Sequence, residues 1–286
     1  MEQILPLIFT SAKRKLKQHT AIRILAAPTV NAIRGFRLLT YQFSKDAGYV
    51  RQWKDKYRGE RCFIIGNGPS LKAGDLELLC GEHCFAANRI FQIFEQTNWR
   101  PEFYLCVDSC VLHDIRHTIE KLELSNIFLH LEGKKLKIRN PNARITYINN
   151  YYPYLVHNHR RVSGIHVSSD VSHHFTAGET VTFNALQFAF YMGFTEIYLL
   201  GVDHNYSKKR DSKGNVTVDL TIQDYFEGLS SNDYSVQNIE TSTAAYQSAA
   251  KYAKEHQITV KNLTRGGNLE VFPREDFDRI IKEYRP

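Results

Sequence analysis

The chain has 286 residues, 43% of them hydrophobic and 23% charged, which supplies a sizeable core and excludes a disordered or fibrous protein. Its net charge is +7, yet residues 1–37 hold Lys13, Arg14, Lys15, Lys17, Arg23, Arg34 and Arg37 against Glu2 alone, a local excess of six. The rest is nearly neutral, which excludes a nucleic-acid-binding body.

Residues 1–50 read as a basic, amphipathic extension. Apolar residues (Ile4, Leu5, Leu7, Ile8, Phe9) precede the basic run Lys13–Lys17, and a second apolar stretch, Ile22 to Val30, is too short to span a bilayer. Apolar side chains beside cations suit a membrane surface carrying anionic headgroups, so residues 1–48 are expected to lie on the inner membrane. A helix packed on the core or on another subunit is the other reading, and a homo-oligomer is compatible with it. Five cysteines and no cleavable secretion signal predict a reducing cytoplasm, with the protein peripheral on its membrane face. Cys80, Cys84, Cys106 and Cys110 lack the knuckle spacing of a zinc site.

From residue 51 to 286 the pattern predicts one α/β, Rossmann-like domain. Short apolar runs at 62–65, 83–87, 103–107, 127–131, 145–148, 196–201 and 258–262 read as strands. Helical patterns at 109–122, 179–192, 243–256 and 275–284 alternate with them, which calls for a mostly parallel sheet covered on both faces. The polar interval 207–238 reads as a lid.

Ligands in such sheets sit beyond the carboxyl ends of the strands. The first strand breaks into Gly66-Asn67-Gly68-Pro69-Ser70, where glycines would let backbone N–H groups approach an anion; the spacing is neither a P-loop nor G-x-G-x-x-G. The second strand ends in Asn88, the third in Asp108 and the late strand in Asp203, followed by His204, Asn205 and Tyr206. Thr176-Ala177-Gly178-Glu179 has a capping-box pattern before an apolar helix whose amino end would open at Gly178 toward a phosphate.

These segments, with the carboxyl-terminal run Asn262 to Phe272, resemble the bacterial lipooligosaccharide sialyltransferases of glycosyltransferase family 42. They equally resemble the related domain of unknown function 115, which includes flagellin nonulosonic-acid transferases and the archaeal 6-hydroxymethylpterin diphosphokinase. The resemblance runs from about Arg61 to Phe277 and implies a GT-A-like fold. It implies that Gly66, Asn67, Gly68, Pro69, Ser70 and Asn88 hold the cytidine monophosphate of a CMP-linked sialic or related nonulosonic acid. The phosphate would lie on Thr176, Ala177 and Gly178, and Tyr206 would serve the leaving group. Asp108 stands where that family has an asparagine, and its histidine base has no counterpart at Gln237–Ser242. The base is therefore sought among His204, His174 and Asp203.

The expected activity is sugar transfer from a nucleotide donor to a bacterial cell-surface glycan or glycolipid, with no cofactor required. The alternatives are an Mg²⁺-dependent pyrophosphokinase, with the metal on Asp108 and Asp203, and a non-catalytic membrane adaptor.

Overall fold

The computed structural model describes residues 29, 32–33, 35–151, 164–211, 215–226 and 236–284. Most of the expected amino-terminal extension, and parts of the expected lid, lie outside the described residues.

A helical segment at residues 35–41 precedes helix α1 (Lys45–Arg51), capped by the Ser44 side chain, and strand β1 (Arg61–Ile65). Strand β1 is apolar on both faces: Cys62 and Ile64 point into one core, Phe63 and Ile65 into the other. Short helix α2 (Ala73–Glu77) leads to β2 (Cys84–Ala87), a 3-10 segment (Asn88–Gln96), β3 (Phe103–Cys106) and α3 (Ser109–Ile119). Strand β4 (Asn126–His130), a second 3-10 segment (Leu131–Leu136) and β5 (Arg144–Ile148) follow. A two-residue pair, β6 (Asn150–Tyr151) with β7 (Phe175–Thr176), precedes α4 (Val181–Met192) and β8 (Glu196–Leu200). Then come β9 (Lys208–Arg210), β10 (Val216–Val218), β11 (Gln237–Asn238), α5 (Ile239–Glu255), β12 (Thr259–Asn262) and α6 (Phe277–Tyr284).

Seven strands form one parallel sheet in the order β12-β8-β1-β2-β3-β4-β5. All seven expected strands are present, each within about a residue of its expected ends. Strands β1, β2, β3, β4 and β8 are buried on both faces, so they are apolar runs bounded by polar or turn residues, while the edge strands β5 and β12 are partly exposed and carry polar residues between apolar ones. The chain steps outward from β1 to β5 and then returns to place β8 beside β1. Strand order therefore reverses between β1 and β8, and at such a point the loops at the carboxyl edge part to leave a crevice.

Helix α4 is buried on every side, with Phe183 and Phe188 against the sheet and Phe190 stacked on Tyr252 of α5. Gln187 ties it to β7. Its Oε1 accepts from the backbone N–H groups of Ser168 and Thr176, both at 3.0 Å, and its Nε2 donates to the Thr176 carbonyl at 2.9 Å. The small sheet β10-β9-β11 follows β8 off the same carboxyl edge, inside the expected lid. Among the described residues no helix is long and apolar enough to cross a membrane. Cys62, Cys84 and Cys106 are buried as small hydrophobes.

Candidate functional site

The glycine loop docks two strand ends together. The N–H of Gly66 donates to the Leu200 carbonyl (2.8 Å) and that of Gly68 to the Gly201 carbonyl (2.9 Å), so both amides are engaged within the protein. A Cβ on Gly68 would stand 1.8 Å from Asp203 Oδ2, and one on Gly66 would stand 2.1 Å from the Gly201 carbonyl oxygen. These glycines are required by close approach to the end of β8. The expectation that their N–H groups face an anion is corrected.

The polar group of the loop left open is on the Asn67 side chain. Its Nδ2 donates to the Ala87 carbonyl (3.0 Å), while Oδ1 is buried without a hydrogen-bond partner among the described residues. Asn88 Oδ1 is in the same state one strand over. Buried amide oxygens left open cost free energy unless a ligand or water completes them. Both residues line a cavity of about 190 Å³ at the switch point, together with Gly66, Gly68, Asp108, Gly178, Asp203, His204 and Tyr206. Pro69 and Ser70 do not line it. The Ser70 hydroxyl donates to Asp203 Oδ2 (2.7 Å) and fixes that carboxylate under the loop. Burial raises the Asp203 carboxyl above its ordinary range, and the Ser70 bond opposes the rise.

The phosphate end differs from expectation. Helix α4 begins at Val181, and its cap is Thr180, whose hydroxyl accepts from the Thr182 N–H. Thr176 and Glu179 form no capping box, because Thr176 is held in β7 by pairing with β6. Thr176 and Ala177 are buried away from the cavity. Gly178 reaches it, confined so tightly that an added Cβ would lie 2.5 Å from Ala245 Cβ. Glu179, Thr180 and Thr182 line the wall beside it, so the open amino end of α4 faces the cavity. His174 is not among the lining residues. Its ring packs edge-on to Tyr151 at 5.5 Å, and burial lowers its pKa.

His204 sits inside the site and is 7% exposed. Its Nε2 is 2.9 Å from Thr243 Oγ1, and its Nδ1 has no hydrogen-bond partner among the described residues. Burial, reinforced by Lys209, pushes the imidazole down to about 4, so the ring is neutral near pH 7. Its backbone is left-handed at φ +52, as are Asn88 at +54 and Glu179 at +58. Non-glycine residues pay roughly 1–2 kcal/mol for that conformation, and three of them around one cavity mark a wall held in place by its surroundings. Asn268 N–H contributes by donating to the Asp203 carbonyl at 2.7 Å.

Three phenols also line the cavity. Tyr206 and Tyr246 lie edge-on to the His204 ring, and Tyr225 joins them at the cavity wall. Loss of water raises all three above the ordinary tyrosine value, so each carries its proton at neutral pH. Tyr225, Tyr246 and Asp224 were missed by sequence reasoning. Asp224 and Tyr225 fall in the polar lid interval, where a 3.6- or 2-residue period gives no signal, and Tyr246 reads as an ordinary core residue of α5. Asp224 clasps the lid by accepting from both the N–H and the hydroxyl of Ser207, and the Phe226 N–H donates to the Asn67 carbonyl (3.0 Å).

Asp108 does two things. Its Oδ1 caps α3 by accepting from the N–H groups of Cys110 and Val111, and the residue also lines the cavity. Among the described residues no three His, Cys, Asp or Glu side chains are grouped to hold a metal ion. Asp108 and Asp203 are the two strand-end carboxylates in the cavity lining, and a divalent cation arriving on substrate phosphates needs only one or two protein carboxylates.

The sequence pattern of a known family matches residues 40–209, more than half of the chain. The chain belongs to the 6-hydroxymethylpterin diphosphokinase MptE-like family. The family match takes in the glycine loop, Asn88, Asp108, the start of α4 and Asp203 to Tyr206, and ends before Asp224, Tyr225 and Tyr246. No curated protein matches the chain. Among solved structures, the MAf glycosyltransferase from Magnetospirillum magneticum AMB-1 is similar over 82% of this chain and 39% of its own, at 14% identity and a TM-score of 0.47. The chain thus spans well under half of that protein, and the likeness is one of chain path.

Proposed function

We propose that the chain is a glycosyltransferase whose nucleotide-activated donor binds in the cavity at the switch point. The observation that supports this reading is the lining of that cavity. Three protonated phenols and the amino end of α4 converge there, with no lysine or arginine among the described lining residues. Neutral proton donors and a helix dipole can take up charge on a departing nucleotide phosphate. In the step itself the acceptor oxygen bonds to the anomeric carbon as the carbon–oxygen bond to the phosphate breaks. The phosphate leaves with the electron pair, and the acceptor's proton passes to a base, for which the candidate is the neutral imidazole of His204, whose Nδ1 has no hydrogen-bond partner among the described residues. Asn67 and Asn88 would recognise the nucleoside with their open amide oxygens. The sequence resemblance favours CMP linked to a sialic or nonulosonic acid as donor, with a bacterial surface glycan as acceptor.

Membership of the diphosphokinase-like family favours a second reading, transfer of a diphosphate from ATP to a pterin alcohol. Asp108 and Asp203 would then hold Mg²⁺ on the substrate phosphates, where it would neutralise their charge. The released nucleotide separates the two readings. Purified protein given a CMP-activated sugar in excess EDTA should release CMP, whereas ATP with 6-hydroxymethylpterin and Mg²⁺ should give no AMP. AMP formation without CMP release would overturn the glycosyltransferase. Asn88→Ala should weaken nucleotide binding by about 1–3 kcal/mol through loss of a buried partner. An unchanged affinity by calorimetry in the folded variant would remove Asn88 from the site.

A further inference from the structure

The segment before α1 turns an apolar stripe outward. Residues 35–41 are helical, and Ile33, Phe36 and Leu39 recur on one side of that helix, continued by Phe43 in the following turn. Phe36 is 70% exposed and Phe43 85%. The other side of the helix is fastened to the body: Tyr41 OH donates to the Tyr147 carbonyl (3.0 Å), and Arg37 pairs with Glu132 (3.3 Å). Glu132 lies just past the end of β4, so this helix stands at the carboxyl edge of the sheet.

A second patch lies on the small sheet that follows β8 off the same edge. Val216 and Val218 of β10 are exposed, as is Leu220 at 86%. Val216 pairs with Arg210 and Val218 with Lys208 of β9, and directly opposite residues share a face. Valines and cationic side chains are therefore side by side.

We propose that these two patches seat the carboxyl edge of the sheet on an anionic lipid bilayer. Apolar side chains next to Lys and Arg suit the boundary between acyl chains and anionic headgroups. The chain leading into the helix, residues 1–34, adds an excess of five positive charges. A second copy of the chain would bring that same charge against itself. Membrane contact at this edge would turn the cavity mouth toward the bilayer, where a lipid-linked acceptor resides. The inference goes beyond the proposed chemistry and does not depend on which group is transferred.

The test uses the full chain with vesicles of phosphatidylcholine and phosphatidylglycerol in equal amounts, and with phosphatidylcholine alone. The chain should sediment with the anionic vesicles and be released by salt. Phe36→Ser/Leu39→Ser/Phe43→Ser, and separately Val216→Ser/Val218→Ser/Leu220→Ser, should each cut the bound fraction by roughly tenfold with the melting temperature and nucleotide affinity unchanged. Undiminished vesicle binding by both variants overturns the proposal. Undiminished binding with a lowered melting temperature assigns the stripe to cover by the chain's own residues. Undiminished binding with loss of a dimer in sedimentation assigns it to a second copy.

Discussion

His204 shows how one residue's environment sets what it can do. Its folded pKa lies below the free value, so the native state disfavours the proton. The stability it contributes is fully present above pH 6.5 and is lost as pH falls through 6.5 toward about 4. A shift of that size corresponds to about 3 kcal/mol across the window. Urea melts should therefore show the wild type losing more stability than His204→Gln between pH 7 and pH 4. Parallel losses in the two proteins would mean that the imidazole is not held neutral. Gly68 makes the complementary point. In sequence it reads as a phosphate-cradling residue, because glycines after a strand often are. Its neighbour in space, Asp203, lies 135 positions on, and only the pairing of β1 with β8 brings that carboxylate under the loop.

At the scale of elements, the α4 region shows where a local pattern misleads. Thr176-x-x-Glu179 satisfies the capping-box spacing, but Thr176 is drawn into β7 by β6, and the next competent hydroxyl, Thr180, takes the cap. Long-range strand pairing overrides a local preference worth about 1 kcal/mol. Gln187 then secures the junction, engaging two N–H groups and one carbonyl of the segment that leads into α4. Gln187→Met keeps the volume and removes these partners, so it should cost about 1–3 kcal/mol for each buried group left unsatisfied. It should also weaken nucleotide binding, because the amino end of α4 would lose its anchor. A chemical-denaturation curve matching the wild type would show that water replaces the amide.

At the scale of the whole molecule, the interval expected to form a lid closes on itself through Asp224 and Ser207 and meets the glycine loop through the hydrogen bond from the Phe226 N–H to the Asn67 carbonyl. Asp224→Ala should speed hydrogen exchange in residues 219–226 and accelerate nucleotide release, with the global melting temperature unchanged. Exchange unaltered in that segment would show that the clasp does not hold the lid. The sequence by itself determined the central strands of the parallel sheet, since those such as Cys62–Ile65 and Glu196–Leu200 are apolar runs closed by turn residues and need no distant information. It also determined the edge at which Asn67, Asn88, Asp108 and Asp203 gather, because strand ends in a parallel sheet point one way. Tertiary structure alone separated His204 from His174, both histidines in polar loops, by burying one in the cavity wall beside Thr243 and Tyr246 and turning the other against Tyr151. It likewise brought Tyr225 and Tyr246 to the cavity through contacts across the fold that no period or spacing along the chain encodes.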